Sequence, residues 1–95
     1  MVFTTLAEVR IEDLAKFVSI FATAGAKLRA RHGSLGANIL ATAEPGRIFV
    51  LIDWPSEAAF AAFRADPEVP ATMASGGTLA PPVFTAVQRV ATLPA

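Results

Sequence analysis

The segment that most constrains the fold is 47–63, with the sequence RIFVLIDWPSEAAFAAF. Six of its first eight residues are apolar, in a nearly continuous run that is typical of a β-strand covered on both faces. Pro55 marks a break, and Ser56 is a favoured N-cap before an apolar pattern with helical spacing. Because a chain of 95 residues has few elements to cover both faces of a sheet, we predict that a second copy covers one.

The other strands are predicted from β-branched and aromatic residues, and one pair is joined by a turn signal. The four predicted strands span residues 2–9, 35–43, 47–54 and 83–91. Glu44-Pro45-Gly46 lies between the second and third strands, with Pro and Gly at positions that tight turns favour. These two strands are therefore predicted to form a hairpin.

Two helices are predicted between the strands. The first follows Asp13 and stops at Gly33, and its apolar residues recur at spacings of three, four and seven. That predicted face consists of Leu14, Phe17, Val18, Phe21 and Leu28. The second helix spans residues 56–65 and ends before Pro67, with a further helical turn at 68–75.

The order β-α-β-β-α-β predicts an α+β, ferredoxin-like fold. In this fold both helices cover one face of a four-stranded antiparallel sheet, and residues 1–95 form one domain. Alternation along the third strand places Ile48, Val50, Ile52 and Trp54 on one face, and Phe49 and Leu51 on the other. We predict that Phe49 and Leu51 face the second copy of a homodimer.

Composition excludes several classes of protein. Charged residues make up 17% of the chain, and the eight basic residues balance the eight acidic ones, so no basic surface for nucleic acid is expected. The chain has no cysteine, which excludes disulfides and thiolate metal sites. Neither an apolar run long enough for a membrane span nor the pattern of a secretory signal is present, so a cytoplasmic protein is expected.

Two segments resemble the dimeric α/β-barrel superfamily, which includes antibiotic-biosynthesis-type monooxygenases and small uncharacterised bacterial proteins. The first segment is the predicted third strand, which ends in Trp54, together with the start of the helix that contains Phe60. The second is ADPEVPATMASGG, which is followed by Pro81-Pro82. The resemblance implies a homodimer whose sheets face each other, with a pocket between sheet and helices in each subunit. It also implies monooxygenation, isomerisation or cyclisation of a hydrophobic or aromatic small molecule.

The resemblance further implies that no cofactor is bound. Haem-degrading members carry Trp and His at positions that correspond approximately to Phe63 and Met73 here, and an Asn in the first strand that this chain lacks. The resemblance therefore argues against haem. Many of the monooxygenases have a His after the second helix, and this chain lacks that residue too.

His32, the only histidine, is the candidate catalytic residue, because imidazole titrates near neutrality and can act as a general base. The alternative is a residue at a helix C-terminus that interacts with the last carbonyl groups. A metal site is not expected, since one histidine with scattered carboxylates lacks the spacing of known ligand sets.

The candidate substrate-binding residues have apolar side chains that can line a pocket or polar groups that can orient a ligand. They are Asn38, Trp54, Phe60, Phe63, Met73 and Gln88. For the aromatic residues and Met73 the alternative is an ordinary core, and for Asn38 it is an edge-strand position facing water. The loop 76–82 is predicted at the pocket mouth, with Gly76 and Gly77 as a flexible lid.

Two functions from different classes remain open on the sequence. The first is a small cofactor-independent enzyme acting on a hydrophobic or aromatic molecule. The second is a non-catalytic module for small-molecule binding or assembly, which the shortage of titratable groups favours. An enzyme needs a titratable group facing its pocket, whereas a binding module does not.

Overall fold

The computed structural model describes residues 2–95, which form four strands and four helical segments in one α+β arrangement. In chain order these are β1 (Phe3–Arg10), α1 (Leu14–Ala22), α2 (Ala24–Arg31), β2 (Gly36–Ala41), β3 (Arg47–Trp54), α3 (Glu57–Ala65), α4 (Glu68–Ser75) and β4 (Val83–Val87). The strands form one antiparallel sheet in the order β2-β3-β1-β4. The predicted ferredoxin-like fold is confirmed.

The third strand separates two chemically different sheet faces, as the alternation predicted. Ile48, Val50, Ile52 and Trp54 are at most 4% exposed and pack in the core with Phe17, Leu28, Phe63 and Val69 from the helices. Phe49 and Leu51 lie on the opposite face and are half-buried. The core therefore sits between one sheet face and the helices.

The first predicted helix is divided into α1 and α2 at Thr23, whose φ of −114° and ψ of −91° are not helical. The Thr23 hydroxyl donates to the Ser19 carbonyl oxygen at 2.8 Å, a back-bond that competes with regular helix hydrogen bonding. The prediction of one continuous helix with a single apolar face was therefore wrong. Leu14 and Val18 are 46% and 40% exposed instead of buried.

The other helix boundaries follow local capping rules. Ser56 caps α3, because its hydroxyl accepts a hydrogen bond from the Ala59 amide at 3.1 Å. Gly33, with a φ of +78°, follows α2 and confirms the predicted stop signal. Pro67 separates α3 from α4, which forms two full turns at the place where one further turn was predicted.

The sheet face away from the helices carries apolar side chains and two ion pairs. Registered neighbours on this face include Leu6 of β1, Leu51 of β3 and Thr85 of β4. Arg47 pairs with Glu8 at 3.2 Å, and Arg89 pairs with Asp53 at 2.8 Å. We call this surface the open sheet face.

The last strand is shorter than predicted. It ends at Val87, where its pairing with β1 ends, and not at residue 91. Beyond it the chain is irregular, with Val90 94% exposed and Leu93 81% exposed. Apolar residues such as Val90 and Leu93 continue past position 87, but the pairing with β1 ends at the pair Thr4 and Val87.

Candidate ligand-binding cavity

A cavity of about 60 Å³ lies between the helices and the sheet, and we call it the inner cavity. Its lining residues come from both central strands, β4 and every helical segment, and nearly all are apolar. They include Val9, Phe17, Ile20, Phe21, Leu28, Arg29, Val50, Ile52, Phe63, Val69, Thr72, Met73 and Phe84. The inner cavity is thus a small apolar space within the hydrophobic core, suited to an apolar guest.

A groove of about 430 Å³ lies at the surface beside the inner cavity, and we call it the outer groove. Phe63, Val69, Met73, Pro82 and Phe84 line both spaces, so they form the boundary between them. The other wall of the groove is the segment 78–82, together with side chains of α3 and α4. The two spaces together reach the size range of small-molecule sites, whereas the inner cavity alone does not.

The segment that borders the outer groove is held in place by hydrogen bonds. Gly77 and Thr78 close α4 by donating to the carbonyl oxygens of Ala74 and Met73, a Schellman arrangement with Gly77 at a φ of +83°. The Gly77 carbonyl oxygen accepts from the Glu12 amide at 3.0 Å, and a Cβ on Gly77 would lie 2.7 Å from Glu12 Cγ.

The segment is pinned a second time by the Leu79 amide, which donates to the Arg10 carbonyl oxygen at 2.9 Å. Gly76 and Gly77 are both buried. These glycines therefore end a helix and allow a close approach to the end of β1. Their role as a flexible lid stays a prediction.

Thr78 adds an unpaired polar group beside the outer groove. Among the described residues, its Oγ1 is the buried side-chain atom that finds no hydrogen-bond partner. A buried hydroxyl without a partner requires an explanation such as a bound water or ligand. Sequence reasoning missed this residue because a threonine in a polar loop gives no signal of burial.

Arg29 is a charged residue among the apolar residues around the inner cavity. Of the described residues that line the inner cavity, it alone is charged. Its Nη1 donates to the Phe21 carbonyl oxygen at 2.8 Å, and its guanidinium carbon lies 3.8 Å from the centre of the Phe21 ring. Burial lowers the pKa of Arg29 from its usual value, although an arginine remains cationic.

His32 lies outside the residues that line the inner cavity and the outer groove. It follows α2, and its Nε2 is 2.8 Å from Asp66 Oδ2 in the turn between α3 and α4. Asp66 also accepts from Arg31 and from the Glu68 amide. These hydrogen bonds, that of His32 first, lower the pKa of Asp66 to about 2.

The predicted aromatic residues meet in one cluster, but they differ in their distance from the cavity. Phe63 lines both the inner cavity and the outer groove. Trp54 lies behind it, with ring centroids 4.7 Å apart, and is fully buried with Nε1 donating to Thr5 Oγ1 at 3.1 Å. Phe60 packs between Phe3, Trp54 and Phe84 and is not a lining residue.

The remaining predicted residues are divided among different places. Met73 lines the inner cavity and the outer groove beside Phe63. Asn38 is exposed on the edge strand β2, where it borders a separate shallow groove between α1 and β2. Gln88 is exposed just after β4. The fold thus brings Phe63 and Met73 together and leaves Asn38 and Gln88 apart from them.

Several lining residues were not singled out from the sequence. Val69, Thr72, Pro82 and Phe84 come from segments whose three-dimensional neighbours no local pattern specifies. Arg29 carried a usable signal, since it follows Phe21 by eight positions and Gly25 by four, which is helical spacing. Lys27, Arg29 and Arg31 are also residues of the type that a helix C-terminus favours, so the spacing alone does not single out Arg29.

None of the helices formed by residues 2–95 is long and apolar enough to cross a membrane. Within the same residues, no group of three or more His, Cys, Asp or Glu side chains is placed to hold a metal ion.

Solved structures share this fold at low sequence identity. SnoaB of Streptomyces nogalater, described as a cofactor-independent oxygenase, is 19% identical with a TM-score of 0.75, over 99% of this chain and 98% of that chain. A candidate antibiotic biosynthesis monooxygenase of Caulobacter crescentus is 21% identical with a TM-score of 0.73, over 95% of this chain and 91% of that chain. Its counterpart in Bordetella bronchiseptica is 19% identical with a TM-score of 0.76, over 95% of this chain and 98% of that chain.

The fold and the cavity define a small ferredoxin-like α+β protein with an apolar space between its sheet and its helices. The model of one family matches residues 1–75. The chain belongs to the antibiotic biosynthesis monooxygenase family. A comparison with curated proteins gave no match.

Proposed function

We propose that the chain is a small cofactor-independent oxygenase that acts on a hydrophobic or aromatic molecule held in the inner cavity and the outer groove. The observation that carries this proposal is the apolar cavity beside a surface groove, the two sharing Phe63 and Met73 in their linings. Membership in the family supports the reaction class, and SnoaB, described as a cofactor-independent oxygenase, has the same fold.

The reaction that suits such a site is an oxidation in which the substrate itself supplies the electrons that reduce O2. An aromatic compound with an activated methylene group loses two hydrogens, one oxygen atom of O2 becomes its new carbonyl oxygen, and the other leaves as water. Ionisation of the substrate precedes this oxidation, and an isomerase or cyclase reaction would begin with the same proton loss. The apolar wall contributes by binding the rings and excluding water.

Phe63 and Met73 are the proposed contact residues, with Trp54 and Phe60 supporting Phe63 from behind. His32 is proposed as a positioning residue, because its ring meets Phe63 edge-on at 5.9 Å. Asn38 and Gln88 remain proposed ligand contacts that would require a ligand to extend beyond the two spaces.

The proposed assembly is a homodimer formed through the open sheet face. Phe49 and Leu51 give this face its apolar character, and they are flanked by Leu6 and by Leu40, which is 49% exposed. A second copy would bury these side chains and about 1,200 Å² or more of surface in total.

A specific observation favours a second candidate function, that of a non-catalytic binding module. No histidine or carboxylate stands among the described residues that line the inner cavity and the outer groove. Without such a side chain, the general base of the proposed oxygenase reaction would have to be water or the substrate itself. A binding module needs no such group.

Anthrone, which has a methylene group between two aromatic rings, is a suitable test compound. Oxygen uptake and the absorbance of the quinone product should rise above the protein-free rate for the wild type. Met73→Trp should abolish the increase by filling the boundary between cavity and groove, while Met73→Leu, of similar volume, should preserve it.

Measuring anthrone binding beside oxygen uptake separates the two candidate functions. Saturable anthrone binding without faster oxygen uptake would reject the oxygenase and leave the binding module. Equal activity of Met73→Trp and the wild type would show that chemistry does not occur in this cavity.

A further inference from the structure

The inner cavity is too small to hold an aromatic ring. Its volume is about 60 Å³, whereas an apolar cavity that admits benzene in another protein measures about 150 Å³. The outer groove, at about 430 Å³, falls by itself within the size range of small-molecule sites. The rings of an organic ligand therefore suit the outer groove, and the inner cavity has room for a much smaller guest.

The lining of the inner cavity offers little to a water molecule. Among the described residues that form it, Arg29 and Thr72 alone carry a side-chain nitrogen or oxygen. The guanidinium of Arg29 is stacked on the ring of Phe21 and donates to the Phe21 carbonyl oxygen. A buried water needs about two to four polar partners, whereas a cavity without them accepts apolar guests. Size and lining together select a small apolar molecule.

The inner cavity lies next to the place proposed for the organic substrate. Phe63, Met73 and Phe84 belong to the linings of both the inner cavity and the outer groove. A guest of the inner cavity is therefore separated from a molecule in the groove by single side chains. Met73 is unbranched and adaptable, so a change of its rotamer is enough to bring two such guests into contact.

We propose that the inner cavity is a binding site for dioxygen, and that the organic molecule occupies the outer groove beside it. This inference rests on the proposed oxygenase function and deepens it, because it divides the two spaces between the two substrates. Dioxygen is uncharged and apolar, so its transfer from water into an apolar space is favourable. The proposed function identifies it among the small apolar gases, since an oxygenase consumes it.

A dioxygen site at this position has a kinetic consequence. Dioxygen held beside the bound substrate reacts without a separate encounter from solvent, which is the advantage of proximity. The inner cavity should therefore govern the KM for dioxygen, while the outer groove governs the KM for the organic substrate. A change confined to the inner cavity should alter the first constant and leave the second unchanged.

Xenon is the probe for the cavity itself, because it is apolar, unreactive and known to enter apolar cavities. NMR spectra of the wild type under increasing xenon pressure should show saturable shifts of the Val50 and Ile52 methyl groups, which line the cavity. The methyl groups of Val90, which is 94% exposed beyond β4, should not shift in this way. In the oxidation of anthrone, xenon should raise the KM of the wild type for dioxygen.

Two variants of one strand test the position of the site. Val50→Ile adds a methyl group to the lining, and it should weaken xenon binding and raise the KM for dioxygen by about fourfold, with the KM for anthrone unchanged. Ile48→Val is the matched control, because Ile48 lies on the same face of β3 and is equally buried but does not line the cavity. It should leave xenon binding and both KM values as in the wild type.

The outcomes distinguish this inference from the function on which it rests. Oxidation of anthrone without saturable xenon shifts at Val50 and Ile52, or with an unchanged KM for dioxygen in Val50→Ile, would overturn the dioxygen site and leave the oxygenase intact. The xenon measurements on the wild type decide the matter even where Val50→Ile does not fold. Binding of anthrone without faster oxygen uptake would overturn the oxygenase and the inference with it.

Discussion

His32 Nε2 lies 2.8 Å from Asp66 Oδ2, and this contact joins the end of α2 to the turn between α3 and α4. Asp66 is further held by Arg31 at 3.0 Å and accepts from the Glu68 amide at 3.0 Å. The side chains of His32 and Asp66 are only 16% and 9% exposed. His32, the candidate general base on the sequence, is thus part of a set of contacts that joins α2, α3 and α4.

The stability of the fold should depend on pH through Asp66. Its folded-state pKa is about 2, below its usual 3.8, so ionised Asp66 stabilises the fold above pH about 4. This contribution should be lost as the pH falls from about 4 to about 2. Asp66→Asn should unfold at lower urea concentration than the wild type at neutral pH, with the difference shrinking in acid. Glu57→Gln, in an exposed first turn, is the control; an identical acid response of Asp66→Asn and the wild type would contradict the assignment.

Thr5→Val should destabilise the core although it preserves shape. The Thr5 hydroxyl accepts the indole N–H of Trp54 at 3.1 Å, and both residues are at most 1% exposed. Removing the acceptor leaves a buried donor unpaired, which costs about 1–3 kcal/mol. Urea unfolding followed by the emission of Trp54, the single tryptophan, measures this loss. Thr85→Val on the open sheet face should change stability by less than about 0.5 kcal/mol; equal effects of the two changes would refute the role of the buried hydrogen bond.

Leu51→Asp should convert the proposed dimer to a monomer or an aggregate. It places a charge in the middle of the open sheet face, where burial without a partner is unfavourable. Val18→Asp is the matched control, since Val18 is an exposed apolar residue of α1 in the helical layer. Light scattering at micromolar concentration should give a dimer for the wild type and the control. A folded wild-type monomer at that concentration would rule out the proposed assembly.

Haemin should give no saturable one-to-one change in the Soret band when titrated into the protein. The expectation follows from Phe63 and Met73, which stand approximately where haem-degrading relatives carry Trp and His. Absorbance spectroscopy with increasing haemin provides the measurement. A saturable change that disappears on substituting one side chain would contradict the expectation and reveal an unexpected axial ligand.

The fold was predictable where short-range signals agree with one another. The third strand was predicted at its observed bounds because its apolar run, its preceding turn and Pro55 all mark the same limits. The division at Thr23 was not predictable, since the apolar spacing continues across it and only the hydroxyl back-bond distinguishes the break. The length of β4 depended on where its pairing with β1 ends, which is information from another part of the chain.

The site was predictable only in part. The pairing of Phe63 with Met73 follows from two adjacent helical segments that cover the same sheet face. His32 and Arg29 lie three positions apart, and the acid–base chemistry of imidazole favoured His32 as the candidate. Which of them lines a cavity depends on the direction of α2 after the division at Thr23, and the helical spacing of one continuous helix does not supply that direction.

The hydrogen bonds between residues 77–79 and the end of β1 have a kinetic consequence for anything that enters the outer groove. A guest wider than the groove passes only when the Glu12 and Leu79 amides release their carbonyl partners. The rates of binding and release then both depend on local opening at the end of β1, whatever the affinity of the guest for the cavity. Hydrogen–deuterium exchange at these two amides would measure how often the segment 77–79 opens, even with no guest present.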